Sequence, residues 1–543
     1  MNRRTFLQTT AGALLVGRCP ELFSAGAPPR KAPFRVLYSN DTTNVTGCTS
    51  PWHPKGEPFR AKYLEASVDE VAGLVDAHFL QPGLGEVPMW PSKVLPLEEH
   101  YRWVKDTYGI GPDTFGKFVL GGGDVVKVFL DRCRAQKQAA FISIRLNDAH
   151  HKEWVEAKPG DKLSSAVGMA VTKFYRDHPE YRVGKKLGSA QFQVLNWARP
   201  EVPARKLAFL TELCENYDLD GLELDFMRFY SFFPRDKSTT SEQRQAIVTG
   251  FVRDVRALLD RTARGGRRRW LCARVPGFVN TLDGLGIDLP ALVAVGLDMV
   301  NLSATYFTTQ QMEVAAVRAL VPQAALYVEM CHSTWNGPKL MAGGDTAPFR
   351  RATPEQYQTT AHLAYARGAD GVSLFNFAYY REHGGPGRGP FNEPPFDVLP
   401  RLVDRAALAR QPQHWFLAPG WAYPFSKETM LPRALASGQA TAFTFDLSPP
   451  EGGWKKEARL RVQTLQPING ARLTVKFNDT PLASTDDITE PFPNPYPPML
   501  GTPETLVAWT VPALLLRAGG NRVEILLAAG ESAAVAFFDL VAI

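Results

Sequence analysis

The run Tyr217-Asp218-Leu219-Asp220-Gly221-Leu222-Glu223-Leu224-Asp225-Phe226-Met227-Arg228-Phe229 decides the fold. Leu222, Leu224 and Phe226 share one parity, and Glu223 and Asp225 share the other. In an extended strand, period two puts both carboxylates on one face. A strand with one apolar and one acidic face suits a barrel, because outward side chains pack on helices while inward ones fill the lumen. Asp225 then stands nearest the C-terminal mouth, where barrel active sites form, and Glu223 lies deeper.

Working outward, β-branched or apolar runs alternate with helix-length amphipathic stretches from 33 to about 410, the signature of βα units and a parallel sheet. Eight strands are expected: Phe34–Ser39, Gly73–Leu80, Ala140–Leu146, Gly221–Phe226, Trp270–Val275, Met299–Ala304, Leu326–Met330 and Gly371–Phe375. Helices are expected between most of them, among them Val125–Lys137, Arg205–Asn216, Thr240–Leu259 and Pro354–Arg367. That is the complement of a (β/α)8 TIM barrel. The Gly- and Pro-rich stretch at 384–395 holds neither helix nor central strand. Beyond a Trp-rich join containing Trp415 and Trp421, residues 411–543 read as a C-terminal antiparallel β-sandwich domain. Its expected strands are Thr441–Leu447, Ala458–Thr464, Ala471–Phe477, Thr505–Thr510, Arg522–Ala528 and Ala534–Leu540, with a hairpin turn at Asn478-Asp479-Thr480 and a long loop at Glu490–Pro503.

The composition fits such a protein. With 543 residues, 45% hydrophobic and 21% charged, the chain is neither disordered nor collagen-like. The formal charge is +6. Residues 1–27 hold Arg3, Arg4 and Arg18 against Glu21, so about +4 remains without them, too weak and dispersed for a nucleic-acid partner. Those residues read as a targeting segment. Arg3-Arg4 precedes Phe6-Leu7, a short apolar stretch follows, and Ala25-Gly26-Ala27 offers a cleavage site. The segment resembles a twin-arginine export signal, which implies a periplasmic or extracellular protein with no stable membrane insertion. Cys19, Cys48, Cys133, Cys214, Cys272 and Cys331 lack metal-ligand spacing, and Cys133, Cys214 and Cys272 read as small core hydrophobes.

Polar residues gather at the expected strand ends. They are Asn40 and Asp41 after the first, Arg145, Asn147, Asp148 and His150 at the third, and Arg228 after the fourth. Arg274 stands on the fifth, Tyr306 after the sixth, Glu329 and His332 at the seventh, and Asn376 after the eighth. Asp225 and Glu329 form a carboxylate pair suited to glycosidic chemistry. One protonates the leaving oxygen, and the other attacks the anomeric carbon or activates water. Arg145 could bind a uronate or a sulfate with its two-point fork.

Here a resemblance enters. The Tyr217–Phe229 run is similar to the fourth-strand motif of bacterial glycosyl-hydrolase-like TIM-barrel families, with its Tyr-x-x-Asp-Gly-Ile-His-x-Asp-Tyr-x-Arg-Tyr pattern. Asn196-Trp197-Ala198-Arg199-Pro200-Glu201-Val202 is similar to the segment opening their next helix. The resemblance spans roughly 140–230 and runs more loosely to 380. It implies a glycosidase-like barrel with a catalytic carboxylate at Asp225. In related clans that carboxylate is a nucleophile in some and an acid/base in others, so its role stays open.

The expectation is therefore an exported glycoside hydrolase acting on carbohydrate. Asp225 and Glu329 are the catalytic pair, and Glu223 and Arg228 tune or orient it. Arg145, Asn147, Asp148, His150, Arg274, Tyr306, His332, Trp335, Asn376, Asn40 and Asp41 line the pocket. Trp335 is the candidate stacking platform for a pyranose face; Trp52, Trp90, Trp103 and Trp154 read as packing residues. No organic cofactor is implied. A metal reading built on Asp148, His150 and His151, with His53 or His332 as a further ligand, lacks both His-x-x-x-His and His-Glu-x-x-His spacing. Gly121-Gly122-Gly123-Asp124 reads as a turn opening a helix, and Arg264–Arg269 as the solvated end of another. No Gly-x-Ser-x-Gly elbow or P-loop is present. A glycan-binding protein without turnover is the alternative from a different class.

Overall fold

The computed structural model describes residues 31–41, 51–53, 57–150, 152–155, 157, 161–163, 167–184, 193–236, 238–304, 306–335, 349–383, 393–418, 431–492, 502–530 and 532–542. The export segment, Cys19, Cys48, His151, Trp421 and most of the loops at 384–395 and 490–503 lie outside them. Residues Lys31–Ile543 form one compact unit.

Eight parallel strands close into a barrel: β1 (Val36–Asn40), β2 (Ala77–Leu80), β3 (Ala139–Arg145), β4 (Gly221–Asp225), β5 (Trp270–Pro276), β6 (Met299–Ser303), β7 (Ala325–Cys331) and β8 (Gly371–Phe375). Each strand pairs with its chain neighbours, and β8 returns to β1 through Val36 opposite Val372. All eight expected strands are present, with ends differing by a few residues. The expected second strand begins later, at Ala77, because Gly73 takes a positive φ of 77° and Asp76 turns its carboxylate onto the backbone N–H groups of Arg35 and Val36.

Period-two packing sorts the barrel side chains as the β4 sequence implies. Leu222, Leu224 and Phe226 join the large outer core with the helices Val125–Ala135, Glu201–Asn216 and Ser241–Arg261. Inside, Leu37, Phe79, Phe141, Cys272, Met299 and Tyr327 form an apolar floor. Gly221 must be glycine, because a Cβ there would lie 2.2 Å from the Phe141 ring. Two expected surface features belong to this architecture. Asp124 caps the helix Val125–Ala135 by accepting from Lys127 N–H, so the Gly121–Gly123 stretch is a turn. Arg267 pairs with Asp218, Arg268 with Asp298, and buried Arg269 donates to the carbonyls of Cys214 and Tyr217. That basic run, at the entry of β5, fastens it to the entry ends of β4 and β6 and is not merely a solvated helix end.

Beyond the barrel stand β9 (Gln413–Leu417), β10 (Ala440–Leu447), β11 (Ala458–Thr464), β12 (Arg472–Phe477), β13 (Leu506–Val511), β14 (Gly519–Ala529) and β15 (Ala533–Ala542). One six-stranded sheet includes β9, β15, β11 and β13, and one four-stranded sheet includes β10, β14 and β12. Trp415, Phe443, Phe445, Leu460, Val475, Ile525 and Phe538 from both sheets share one core. Trp415 is thus a core residue on β9, paired opposite Leu540, and does not sit in a join. The turn at Asn478 and Asp479 uses positive φ at both residues (47° and 68°), as a tight hairpin requires. Arg367, the C-cap of the helix Pro354–Ala366 that precedes β8, pairs with Asp446 on β10 and ties the sheets to the barrel. Among the described residues no helix is long and apolar enough to cross a membrane.

Candidate active site

The inward positions of the strands turn polar towards their C-terminal ends. Glu223 accepts from Ser143 Oγ (2.8 Å) and from Asn301 Nδ2 (3.3 Å), with Cys272 Sγ at 3.7 Å. Asn301 Nδ2 also reaches Glu329 (3.4 Å) and Ser373 (3.2 Å), so one amide links three strands. Burial first, and then the charge of Asp225, push the Glu223 carboxyl up to about 7.

Above this layer Arg274 joins the two expected catalytic acids. Its Nε donates to Glu329 Oε2 (2.6 Å) and its Nη2 to Glu329 Oε1 (2.7 Å), a two-point pairing. Nη1 donates to Asp225 Oδ1 (3.1 Å) and Nη2 also reaches Ser303 Oγ (3.0 Å). The guanidinium lies 4.0 Å over the Phe375 ring. Burial opposes the Arg274 charge, but Glu329 and Asp225 push its pKa well above the ordinary value. Asp225 accepts from Met227 N–H (2.8 Å) on Oδ1 and from Gln81 Nε2 (3.2 Å) on Oδ2. Ser303 Oγ donates to Glu329 at 2.6 Å. Both acids are 1% exposed, so these donors replace the water each carboxylate gave up.

Arg145 connects the centre to its two flanks. Its Nη1 donates to Asp148 (3.1 Å) and its Nη2 to Gln81 Oε1 (3.2 Å), with Asp41 at 3.9 Å. On one flank Asp148 accepts from the backbone N–H of His150 (2.7 Å) and from its ring Nδ1 (2.5 Å). The Nε2 of that ring faces Arg228 Nη2 at 2.7 Å. A carboxylate only accepts and a guanidinium only donates, so the ring carries its hydrogen on Nδ1. Burial holds His150 below its ordinary pKa. Burial also pushes the Asp148 carboxyl up, but His150, Arg145 and Arg228 outweigh it and hold Asp148 well below the usual range. Since a neutral His150 contributes a hydrogen bond and not a charge, Arg145 and Arg228 are the cations that act on Asp148. Arg228 in turn stacks 5.1 Å over the ring of Tyr306, whose φ is +56°.

On the other flank Asn376, at φ +54°, accepts from Asp41 N–H (2.8 Å) and donates to Asp41 Oδ2 (3.4 Å), while Tyr379 Oη donates to Asp41 Oδ1. His332 stacks on Tyr379 at 5.5 Å. Asn40 Oδ1 accepts from Ala378 N–H.

The structure therefore brings together Asp225, Glu329, Glu223, Arg274, Arg145, Asp148, His150, Arg228, Tyr306, Asp41 and Asn376, with His332 and Asn40 beside Asp41. One expected residue, Asn147, stands apart. Asn147 is buried, donates to the carbonyls of Leu195 (2.7 Å) and Ser231 (3.0 Å) and accepts from Leu195 N–H (3.0 Å). It pins loops, and both its amide hydrogens are spent on them. Trp335 ends the short strand Ser333–Trp335, paired with Phe349–Arg351, and its side chain lies outside the described part of the structure. Arg145 spends one N–H of each terminal nitrogen within the network, on Asp148 and on Gln81, and its buried Nε has no hydrogen-bond partner among the described residues. Of the other tryptophans, Trp90 donates to Glu212 and Trp52 to Tyr63 O, as packing residues do.

Gln81, Ser143, Asn301, Ser303 and Tyr379 escaped the sequence reading. Asn301 and Ser303 occupy the parity opposite Val300 and Leu302, the same signal that picked out Glu223 and Asp225. Gln81 directly follows β2, whose poor alternation hid it. Among the described residues no group of three or more His, Cys, Asp or Glu is arranged to hold a metal ion.

No protein-family model and no curated protein matches the chain. Among solved structures it is distantly similar to a cycloisomaltooligosaccharide glucanotransferase of Paenibacillus sp. (10% identity, TM-score 0.31, 92% of this chain), of whose length it spans 57%. It is also distantly similar to an alpha-L-fucosidase from Bacteroides thetaiotaomicron (11% identity, TM-score 0.36, 94% of this chain and 99% of that one). A third such structure is a maltogenic alpha-amylase from Thermotoga neapolitana (12% identity, TM-score 0.35, 92% and 98%).

Proposed function

We propose that the chain is a glycoside hydrolase that cleaves an O-glycosyl bond of a poly- or oligosaccharide, and that it works outside the cytoplasm after export through the twin-arginine signal of residues 1–27. The observation that supports this most is Asp225. It ends β4 at the mouth, three donors hold it, and it shares Arg274 with a second carboxylate, Glu329.

On this reading Asp225 attacks the anomeric carbon or takes a proton from the attacking water, and its charge stabilises the cationic sugar of the transition state. Arg274 and Gln81 hold the carboxylate in one orientation, so little reorganisation is needed at the moment of reaction. Glu329 is the second member of the pair. Both its oxygens accept from Arg274 or Ser303, so proton delivery from Glu329 requires Arg274 to release one oxygen when the sugar binds. The barrel and its appended sheets act as one enzyme domain and one accessory domain.

Product release from a panel of neutral, uronate-containing and sulfated polysaccharides tests the proposal, run beside Asp225→Asn. Loss of turnover by about three orders of magnitude is expected when an essential carboxylate is removed. The span of Arg274 across both acids favours a second reading, a barrel that binds glycan without turning it over. That reading predicts glycan binding by the wild type with no product, and near-equal affinity in Asp225→Asn.

A further inference from the structure

Three carboxylates face the lumen around the Arg274 guanidinium, which bonds to two of them, Glu329 and Asp225. The third, Glu223, is 1% exposed and meets neutral groups instead. Ser143 Oγ on β3 lies at its Oε1, and Asn301 Nδ2 on β6 and Cys272 Sγ on β5 lie at its Oε2. The Cys272 thiol, pushed up by burial and by Glu223, brings no charge, and Arg145 on β3 turns to Asp148 and Gln81. A buried carboxyl without a bonded cation stays neutral by keeping a proton. Burial and the charges of Asp225 and Glu329 oppose the ionised form of Glu223, and they outweigh Arg274 and Ser143, which favour it. Ser143 Oγ, a hydroxyl, can accept that proton in a hydrogen bond.

Glu329 is placed in the reverse way. Its Oε1 accepts from Arg274 Nη2 and Ser303 Oγ, and its Oε2 from Arg274 Nε and Asn301 Nδ2. Four donors thus fill the positions at which a carboxyl could hold a proton. The acid that would protonate a leaving oxygen carries no proton at rest, while the carboxyl in the layer beneath it does. The Oε2 atoms of the two residues converge on one donor, Asn301 Nδ2, at 3.4 Å and 3.3 Å.

We infer that Glu223 is the proton store from which Glu329 is charged, a role that rests on the glycosidase reading. When the sugar draws Arg274 off Glu329 Oε2, the Glu223 carboxyl turns its protonated oxygen from Ser143 towards Glu329. The O–H bond at Glu223 breaks and one forms at Glu329 Oε2. One negative charge moves from Glu329 to Glu223, and Arg274 attracts it in either place, so the net charge of the lumen does not change. Glu329 then passes the proton to the glycosidic oxygen as the bond to the anomeric carbon breaks. The proton given up by the attacking water restores Glu223 at the end of the turnover.

Leaving-group dependence tests this. Methyl and dinitrophenyl glycosides, made from the fragments that the wild type releases from the polysaccharide panel, are given to the wild type, Glu223→Gln and Asp225→Asn. Dinitrophenolate departs without a proton, and methoxide does not. Glu223→Gln is expected to lose about a hundredfold or more on the methyl glycoside, as loss of general-acid catalysis implies, and less than about tenfold on the dinitrophenyl one. Asp225→Asn should fail on both. Ser143→Ala is a second variant that leaves Glu223 in place. Among the described residues the hydrogen bonds of the Ser143 side chain run to Glu223 and Gln81, and the one to Glu223 favours its ionised form. Without it the alkaline limb of kcat/KM on the methyl glycoside should move to higher pH. Equal losses on both glycosides in Glu223→Gln, or an alkaline limb that Ser143→Ala leaves in place, overturns the inference. Release of no product from any polysaccharide by the wild type is a different failure, that of the glycosidase reading itself, and the inference falls with it.

Discussion

Arg274 and Glu329 meet in a two-point pairing, Nε to Oε2 at 2.6 Å and Nη2 to Oε1 at 2.7 Å, with both side chains 1% exposed. The same guanidinium donates to Asp225 and lies among three carboxylates, counting Glu223. One cation thus holds the centre of the barrel mouth together, and its removal should be felt twice.

Arg274→Met strands the acids it pairs. Breaking a buried pair by removing one partner costs about 3–5 kcal/mol. A lower melting temperature and loss of turnover are expected together, measured by thermal denaturation and product release. Arg274→Lys keeps the charge without the fork. It should recover part of the stability and little of the activity, because a point charge does not hold Glu329 and Asp225 in one geometry.

Glu223 sets a pH dependence. Its folded pKa, up to about 7, lies above the ordinary carboxyl value of 4.5. A raised carboxyl contributes stability that is fully present below about 4.5 and is lost as pH rises towards about 7. Glu223→Gln does not titrate. Its stability relative to wild type should therefore rise across that window, by on the order of 3 kcal/mol at 1.36 kcal/mol per unit. Denaturant midpoints of the two proteins at pH 4.5 and pH 8 check this, and a constant difference would contradict it. Glu70, also pushed up to about 7 by burial, titrates in both proteins and cancels from the comparison.

Asn147→Ala separates scaffold from site. Three hydrogen bonds to the loops at Leu195 and Ser231 disappear, at about 1 kcal/mol each. The melting temperature should fall, while the order of preference among glycan substrates stays as in the wild type. A changed preference with an unchanged melting temperature would return Asn147 to the pocket wall.

The appended sheets have their own ion pair. Asp539 on β15 accepts from Arg461 on β11, and His414 on β9 lies 3.1 Å from it. Arg461 and His414 outweigh burial and hold the Asp539 carboxyl below its usual range. The stability this contributes is present above the ordinary carboxyl pKa and is lost as pH falls. Arg461→Met should destabilise the protein by about 3–5 kcal/mol at neutral pH and flatten the acid limb of its stability profile.

Much of the architecture was legible because it rests on periodicity and local chemistry. The alternation in Gly221–Phe226 places Glu223 and Asp225 in the lumen whatever the rest of the chain does, since a one-residue slip would put Leu222 and Leu224 there instead. Other parts were not legible. Gln413–Leu417 is a buried strand in which polar Gln413 and His414 precede Trp415 and Phe416, and it looks like a join until its pairing with β15 is known. Arg145 and Asn147 stand at a strand end as binding residues would, and only their partners reveal that one serves the network and the other the loops.

By itself the sequence determined that this is an alternating βα chain with acids on the inner face of its fourth strand, because side-chain direction along a strand depends only on parity. Which polar groups satisfy one another was decided by the tertiary structure. Arg274, Asp225 and Glu329 come from strands far apart in sequence, and closure of the barrel brings them within hydrogen-bond range. Hydrogen bonding acts over about 3 Å, a scale at which the linear order of residues says nothing about who meets whom.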